Sequence, residues 1–228
     1  MNRSVKELFG HPLGAADGDI GHIKDFYFDD ALWVVRYLVA DTGTWITGRL
    51  VLISPMALGG FEESEKALRV NLTRKQIENS PSTEDHKPIS RLYEQEYHQY
   101  YNWPFYWQGG ALWGISDFPS IPPLPITPPV TGSPAPKPED AHLNSARAVL
   151  GNSARAVDKD VGTVADFLLD DRTWTITGVV IDTGHWLPGR KSVVVPGQVG
   201  RISWDESKVF LKTTSLALER APAYEAAA

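Results

Sequence analysis

The sequence predicts a mainly β protein: two small β-barrels related by internal duplication, with short helices and an irregular aromatic and proline-rich insert between them. Three observations carry that reading. Sliding the chain by 141 positions lays Gly10–Pro55 on Gly151–Pro196 without a gap, and 18 of those 46 pairs are identical. Each copy is a series of short β-branched and aromatic runs broken by turn residues, with no long helical period. The stretch between the copies resembles neither, being dense first in aromatics and then in proline. A period of this length has to be found before elements are assigned, because it sets the architecture.

The elements of the first copy follow in order. Residues 1–12 lead in, and Asp17-Gly18 is a hairpin-type turn, since glycine tolerates the positive φ such turns require. Ile20, Ile23, Phe26 and Phe28 alternate imperfectly with polar neighbours, as a half-buried strand does. Asp29-Asp30 turns the chain, and Leu32–Ala40, rich in β-branched and aromatic residues, is the strongest strand. Asp41–Gly48 is a loop carrying Trp45. Arg49–Ser54 returns as a strand that stops at Pro55, which cannot donate to a ladder. A last hairpin joins Phe61-Glu62 to Leu68–Leu72 around Glu63–Lys66. Thr73-x-x-Gln76 is a capping box opening a short helix to about Asn79.

The second copy repeats the plan, with Asp158-Lys159 at the first turn and strands at Val161–Leu169, Trp174–Ile181 and Lys191–Val195. Its loop is Asp182–Gly189 and carries Trp186. Ile202–Trp204 and Val209–Leu211 form its last hairpin, and Thr214-Ser215 opens a short helix ending before Pro222. Ala226–Ala228 is a tail with little information. Between the copies, Ser82–Lys87 is a polar link. Ile89–Tyr100 places Ile89, Leu92, Tyr93, Glu96, Tyr97 and Tyr100 at helical spacing, with Ser90 as N-cap. An aromatic run from Tyr101 to Trp107 follows, and residues 119–138 are proline-rich, which favours an extended spacer. The boundaries expected are 1–82 for the first barrel, 83–143 for the insert and 144–228 for the second barrel.

Composition bounds the function. The chain of 228 residues has no cysteine, which excludes disulfides, thiolate metal sites and cysteine nucleophiles and fits a reducing compartment. A net charge of −6 argues against a nucleic-acid footprint. No signal-peptide h-region is visible at the N-terminus, and no run approaches the roughly 18 apolar residues of a membrane span. A cytoplasmic protein without a membrane span is expected.

The duplicated residues carry a resemblance. Asp17, Gly18, Ile20, Gly21, Asp25, Phe26, Asp29, Asp30, Trp33, Trp45, Gly48, Arg49 and Pro55, matched 141 positions later except where Lys159 replaces Gly18 and Val161 replaces Ile20, resemble the PRC-barrel family. That family's small β-barrel forms the cytoplasmic part of the photosynthetic reaction-centre H subunit and the C-terminal part of a ribosome maturation factor. The arrangement looks like the bacterial tandem PRC-barrel proteins with an aromatic Tyr-Tyr-x-Trp-Pro-x-Tyr-Trp insert. The resemblance implies a barrel used for docking rather than catalysis. Unlike the H subunit, this chain shows no membrane anchor.

Three chemical readings compete with plain scaffolding. Asp41-Thr42-Gly43 and Asp182-Thr183-Gly184 each follow an apolar strand, as the paired motifs of an aspartic peptidase do, because that chemistry needs one carboxylate per lobe. Thr44-Trp45 and His185-Trp186 stand where small residues belong, and an Asx turn explains the same aspartates. Asp17, Asp19, Gly21, Asp25 and Asp29 only superficially match an EF-hand loop, since His22 and Phe28 occupy the positions needing Gly and Glu. The six histidines are scattered, without ligand spacing. In the insert, Tyr97, Tyr100, Tyr101, Trp103, Phe105, Tyr106, Trp107 and Trp113 form either a partner-binding surface or an extra core layer. The expectation is a non-catalytic adaptor or scaffold that binds a protein partner through these aromatics, with no cofactor and no metal. A ligand- or ion-binding barrel is the alternative, a peptidase the lesser one, and self-association is compatible with the chain.

Overall fold

Two series of elements run through the chain at one spacing. The structure, a computed structural model, describes residues 1–46, 48–62, 67–81, 89–121, 143–184, 190–221 and 223–224. The first series is β1 (Asn2–Ser4), α1 (Val5–Leu8), β2 (Pro12–Ala15), β3 (Gly18–Asp29), β4 (Val34–Asp41), β5 (Leu50–Ile53), a 3-10 turn (Pro55–Ala57), β6 (Leu58–Glu62), β7 (Ala67–Val70) and α2 (Arg74–Glu78). The insert supplies α3 (Arg91–Tyr100). The second series is β8 (Leu143–Ser145), α4 (Ala146–Val149), β9 (Ser153–Arg155), β10 (Asp160–Asp170), β11 (Thr175–Asp182), β12 (Lys191–Val194), a 3-10 turn (Pro196–Gln198), β13 (Val199–Ser203), β14 (Lys208–Leu211) and α5 (Ser215–Arg220). Strand predominates, as the composition implies. The turn at Glu63–Lys66, the link Ser82–Lys87, most of the proline-rich run, Trp186 with its loop, Pro222 and the alanine tail lie outside the described residues.

The chain divides into two compact units. The leading unit is Phe9–Leu143 with Arg172–Trp174; the trailing unit is Asn144–Asp171 and Thr175–Ala228 with Met1–Leu8. These units cut the chain elsewhere than the repeat boundaries do, because the insert groups with the first copy and residues 1–8 with the second. In the leading unit the strand order is β5-β4-β3-β2-β7-β6, antiparallel except for β2 against β7. In the trailing unit it is β12-β11-β10-β9-β14-β13, antiparallel except for β9 against β14. Even the register slips recur: β3/β4 shifts between Ile23/Asp25 and Tyr27/Phe28, and β10/β11 between Val164/Asp166 and Leu168/Leu169.

The repeated residues do the same mechanical work in each unit. Gly21 and Gly162 sit at φ 116° and 133°. A Cβ there would lie 1.9 Å from the carbonyl oxygen of Asp41 or Asp182, so only glycine lets the strands close. Thr42 Oγ1 donates to Arg49 O at 2.7 Å, and Thr183 Oγ1 to Arg190 O at 2.8 Å. Arg49 and Arg190 each donate at 2.6 Å to a carbonyl past the short helix, Ser80 O and Ala221 O. Asp17 and Asp158 accept from the first amides of those helices, Arg74 N and Ser215 N. Trp33 and Trp174 take φ 57° and 59° and are buried. A bulky residue in that region is uncommon, and it ends the turn, so β4 and β11 begin after the tryptophans rather than at Leu32 and Trp174.

Two other expectations shift. Residues 1–12 are more than a lead-in: β1 pairs antiparallel with β10, Asn2 to Asp170 and Ser4 to Leu168. Ser4 Oγ donates to Asp166 Oδ2 at 2.5 Å, and Lys6 N donates to Asp166 Oδ1 at 2.9 Å. Val5 and Leu8 of α1 are buried. The helix caps stand as expected, with the Thr73–Gln76 capping box formed and Ser90 Oγ accepting from Tyr93 N.

Candidate functional site

The insert packs a polar cluster against β4 of the leading unit. β4 is buried along almost its whole length, yet it carries Arg36 and Tyr37 among its aliphatic residues. Arg36 has 1% exposure, so its charge must be matched locally. Its Nη2 lies 3.3 Å from Asp29 Oδ2, and its Nη1 donates to Leu112 O at 2.6 Å. The guanidinium lies 3.9 Å from the Tyr106 ring centroid and 5.1 Å from that of Trp113, a cation–π seat on two sides. Trp113 Nε1 donates to Thr173 O at 2.9 Å, which fixes the ring.

Helix α3 supplies the other half. Glu94, Tyr97 and His98, at i, i+3 and i+4 spacing, form its buried face, whereas Leu92 and Tyr100 are exposed. The helix is therefore turned from the face its apolar residues indicated, because Glu94 and His98 find polar partners inside. Tyr106 Oη donates to Glu94 Oε1 at 2.6 Å and accepts from Arg91 Nη1 at 2.9 Å. Arg91 Nη1 also stands 3.1 Å from Glu94 Oε2. Tyr97 Oη donates to Leu52 O at 2.9 Å and accepts from Ser54 N at 3.2 Å, fastening α3 to β5 and the residue after it.

His98 is the hub. Its ring centroid lies 6.3 Å from Trp103, 6.0 Å from Phe105, 5.8 Å from Tyr106 and 5.4 Å from Trp107. Nδ1 faces Pro104 O at 2.8 Å, and a carbonyl only accepts, so Nδ1 carries the proton. Nε2 of the neutral ring then accepts from Tyr37 Oη at 3.1 Å. The energetics agree. Burial raises Glu94 to about 7 against the pull of Arg91 and of its tyrosine partners. Burial lowers His98 to about 4, the Pro104 carbonyl opposing. The cluster holds a proton near neutrality, but Glu94 and His98 have 0% exposure, so no reactant reaches them in this arrangement.

Of the eight insert aromatics singled out by sequence, Tyr97, Trp103, Phe105, Tyr106 and Trp113 are buried, Tyr101 and Trp107 are half-buried, and Tyr100 is exposed. Five of the eight thus turn their rings into the core. The outer edge of the insert is different: Ile115, Phe118 and Ile121 are 75%, 46% and 51% exposed within seven residues. Sequence reasoning missed Arg36, Tyr37, Glu94 and His98. A lone arginine inside the run Val34-Val35-Arg36-Tyr37-Leu38-Val39 was the available signal, since a strand covered on both faces has no place for an unmatched cation.

The other candidate residues have structural duties. Asp41 Oδ1 accepts from Gly43 N at 3.0 Å and Asp182 Oδ1 from Gly184 N at 2.8 Å, each an Asx turn. Asp25 and Asp166 accept from the next amide, Phe26 N and Phe167 N, both at 2.7 Å. Trp45 lies under the Arg74 guanidinium, 4.4 Å from ring centroid to Cζ. Among the described residues no group of three or more His, Asp or Glu side chains converges as a metal site, and no helix is long and apolar enough to cross a membrane. No protein-family model matches the chain, and no curated protein matches it.

Proposed function

We propose that the chain is a non-catalytic adaptor of the cytoplasm, built on two PRC-type β-barrels, that docks a protein partner along the outer edge of its insert. The twofold element series, with its repeated strand order and register slips, supports the barrel reading. The aspartates that could have formed a peptidase pair are engaged as turn caps, which supports the non-catalytic one. The observation that carries the docking role is the exposed apolar group Ile115, Phe118 and Ile121, standing on an insert whose interior is locked by Arg36, Glu94 and His98. Exposed apolar side chains grouped in sequence on a packed support have the chemistry of an interaction site.

The test is affinity capture with the wild type and with Ile115→Ser/Phe118→Ser, both changes lying outside the core so that folding is spared. A partner held by the wild type and lost by the double variant is the expected result. An identical set of captured proteins, with circular dichroism unchanged, sinks the proposal. Trp103 is unsuitable as a probe, because at 4% exposure its loss would unpack the insert.

A further inference from the structure

Asp19 and Asp160 are the same residue of the two copies, and they meet different surroundings. In the trailing unit Asp160 is held by two cations: Arg155 Nη1 at 3.1 Å from Oδ1 and Lys208 Nζ at 3.8 Å from Oδ2. The positions 141 earlier than those cations are Gly14 and Ala67. Lys159 likewise becomes Gly18, and Lys212 becomes Asn71. Among the described residues the Asp19 carboxylate has neither a hydrogen bond nor an ion pair. Where the cationic side chains would stand there is a groove of about 550 Å³, walled by Pro12–Ala16, Gly18, Asp19, Glu62 and Ala67–Asn71. Its size falls within the several-hundred-Å³ range of sites that take small ligands.

The backbone explains why the groove is open. In the trailing unit β9 and β14 pair over three positions, Lys208 with Ser153 through Phe210 with Arg155. In the leading unit β2 and β7 pair over only two, Leu13 with Leu68 and Gly14 with Arg69. The missing pair involves Pro12, which has no N–H to offer. Among the described residues the only cation on the wall is Arg69, which is drawn to Glu62 at 2.5 Å. Arg74 lies against Gly18 from outside the lining, stacked on Trp45.

We propose that this groove receives an arginine side chain from a partner peptide, with Asp19 taking the guanidinium as Asp160 takes that of Arg155. The duplication supplies the template: the carboxylate is kept, and its internal cations are replaced by the two smallest residues. A partner with a basic residue in an extended segment completes what the second copy completes for itself. The proposal is independent of the docking edge at Ile115–Ile121, since none of the groove residues belongs to the insert.

The probe is acetyl-Ala-Arg-Ala-amide, titrated into the full chain and followed by amide chemical shifts, with the citrulline analogue as the neutral control. Saturable shifts confined to residues 12–19 and 67–71, with a Kd of millimolar order, are expected. Asp19→Asn should weaken binding by up to about fivefold. Gly14→Arg should abolish it by supplying the side chain internally; a Cβ there meets nothing within 4 Å, so the variant folds. Asp160→Asn should leave it unchanged. Absence of saturable shifts in the wild type, equal binding of the citrulline peptide, or binding that survives both Asp19→Asn and Gly14→Arg overturns the proposal.

Discussion

β4 and β11 hold the same place in the two repeats, yet β4 carries Arg36-Tyr37 where β11 carries Thr177-Gly178. In the trailing unit Thr177 Oγ1 is satisfied close by, 3.2 Å from Leu168 O and 3.3 Å from Asn2 Oδ1. Gly178 leaves no room at all, since a Cβ would stand 2.7 Å from Val193 Cγ1. In the leading unit the two large polar side chains reach out to the insert, and the insert answers with Leu112 O, Tyr106, Trp113 and His98. The residues the copies share hold turns; the residues in which they differ decide what each copy can receive.

Breaking a shared residue should therefore hurt both units alike. Gly21→Ala and Gly162→Ala each push a methyl into a carbonyl oxygen and should each cost about 4 kcal/mol or more. Urea unfolding read by amide exchange, which shows which unit opens, checks this. Tolerance of either change to within about 1 kcal/mol would undo the equivalence of the copies. Breaking a residue in which they differ should be one-sided. Arg36→Met leaves Asp29 buried without its cation and should cost about 3–5 kcal/mol, whereas Thr177→Val should cost about 1 kcal/mol. Equal losses on chemical denaturation would remove the distinction.

The finest test uses pH. Glu94 is raised to about 7 from 4.5, so it stabilises the fold below pH 4.5 and loses that contribution as pH rises through 7. His98 is lowered to about 4 from 6.5, so it stabilises above pH 6.5 and loses that contribution as pH falls through 4. Between pH 4.5 and 6.5 the two slopes oppose each other, and this pair should leave stability nearly level. Glu94→Gln removes one slope, so stability should climb by about 2 kcal/mol from pH 5 to 6.5 relative to the wild type. Parallel curves for the two proteins would show that Glu94 does not hold its proton in the fold.

Much of the scaffold was legible because its causes are local or repeated. Thr73-x-x-Gln76, Ser90, Asp41 and Asp182 act within three residues of themselves, and glycine, aspartate and tryptophan kept in register 141 positions apart announce two matching series of elements. The pairing of β1 was not legible, since its partner lies about 165 positions away and three residues hold no periodicity. Nor was the buried face of α3: Glu94 and His98 read as solvent-facing until Arg36, Arg91, Tyr37 and Tyr106 are brought to them by the fold. The tryptophans at 33 and 174 hid their left-handed backbone for the same reason, since nothing in the side chain calls for it.

The pairing of β1 with β10 has a consequence for biosynthesis. At about 5–20 residues per second, β1 leaves the ribosome roughly ten to thirty seconds before residues 168–170 exist to receive it. Val5 and Leu8, buried in the finished protein, wait in water throughout that interval. A strand made well before its partner is housed late, and a translational pause between Ser4 and Leu168 prolongs the time in which a chaperone, or another nascent chain, can claim it.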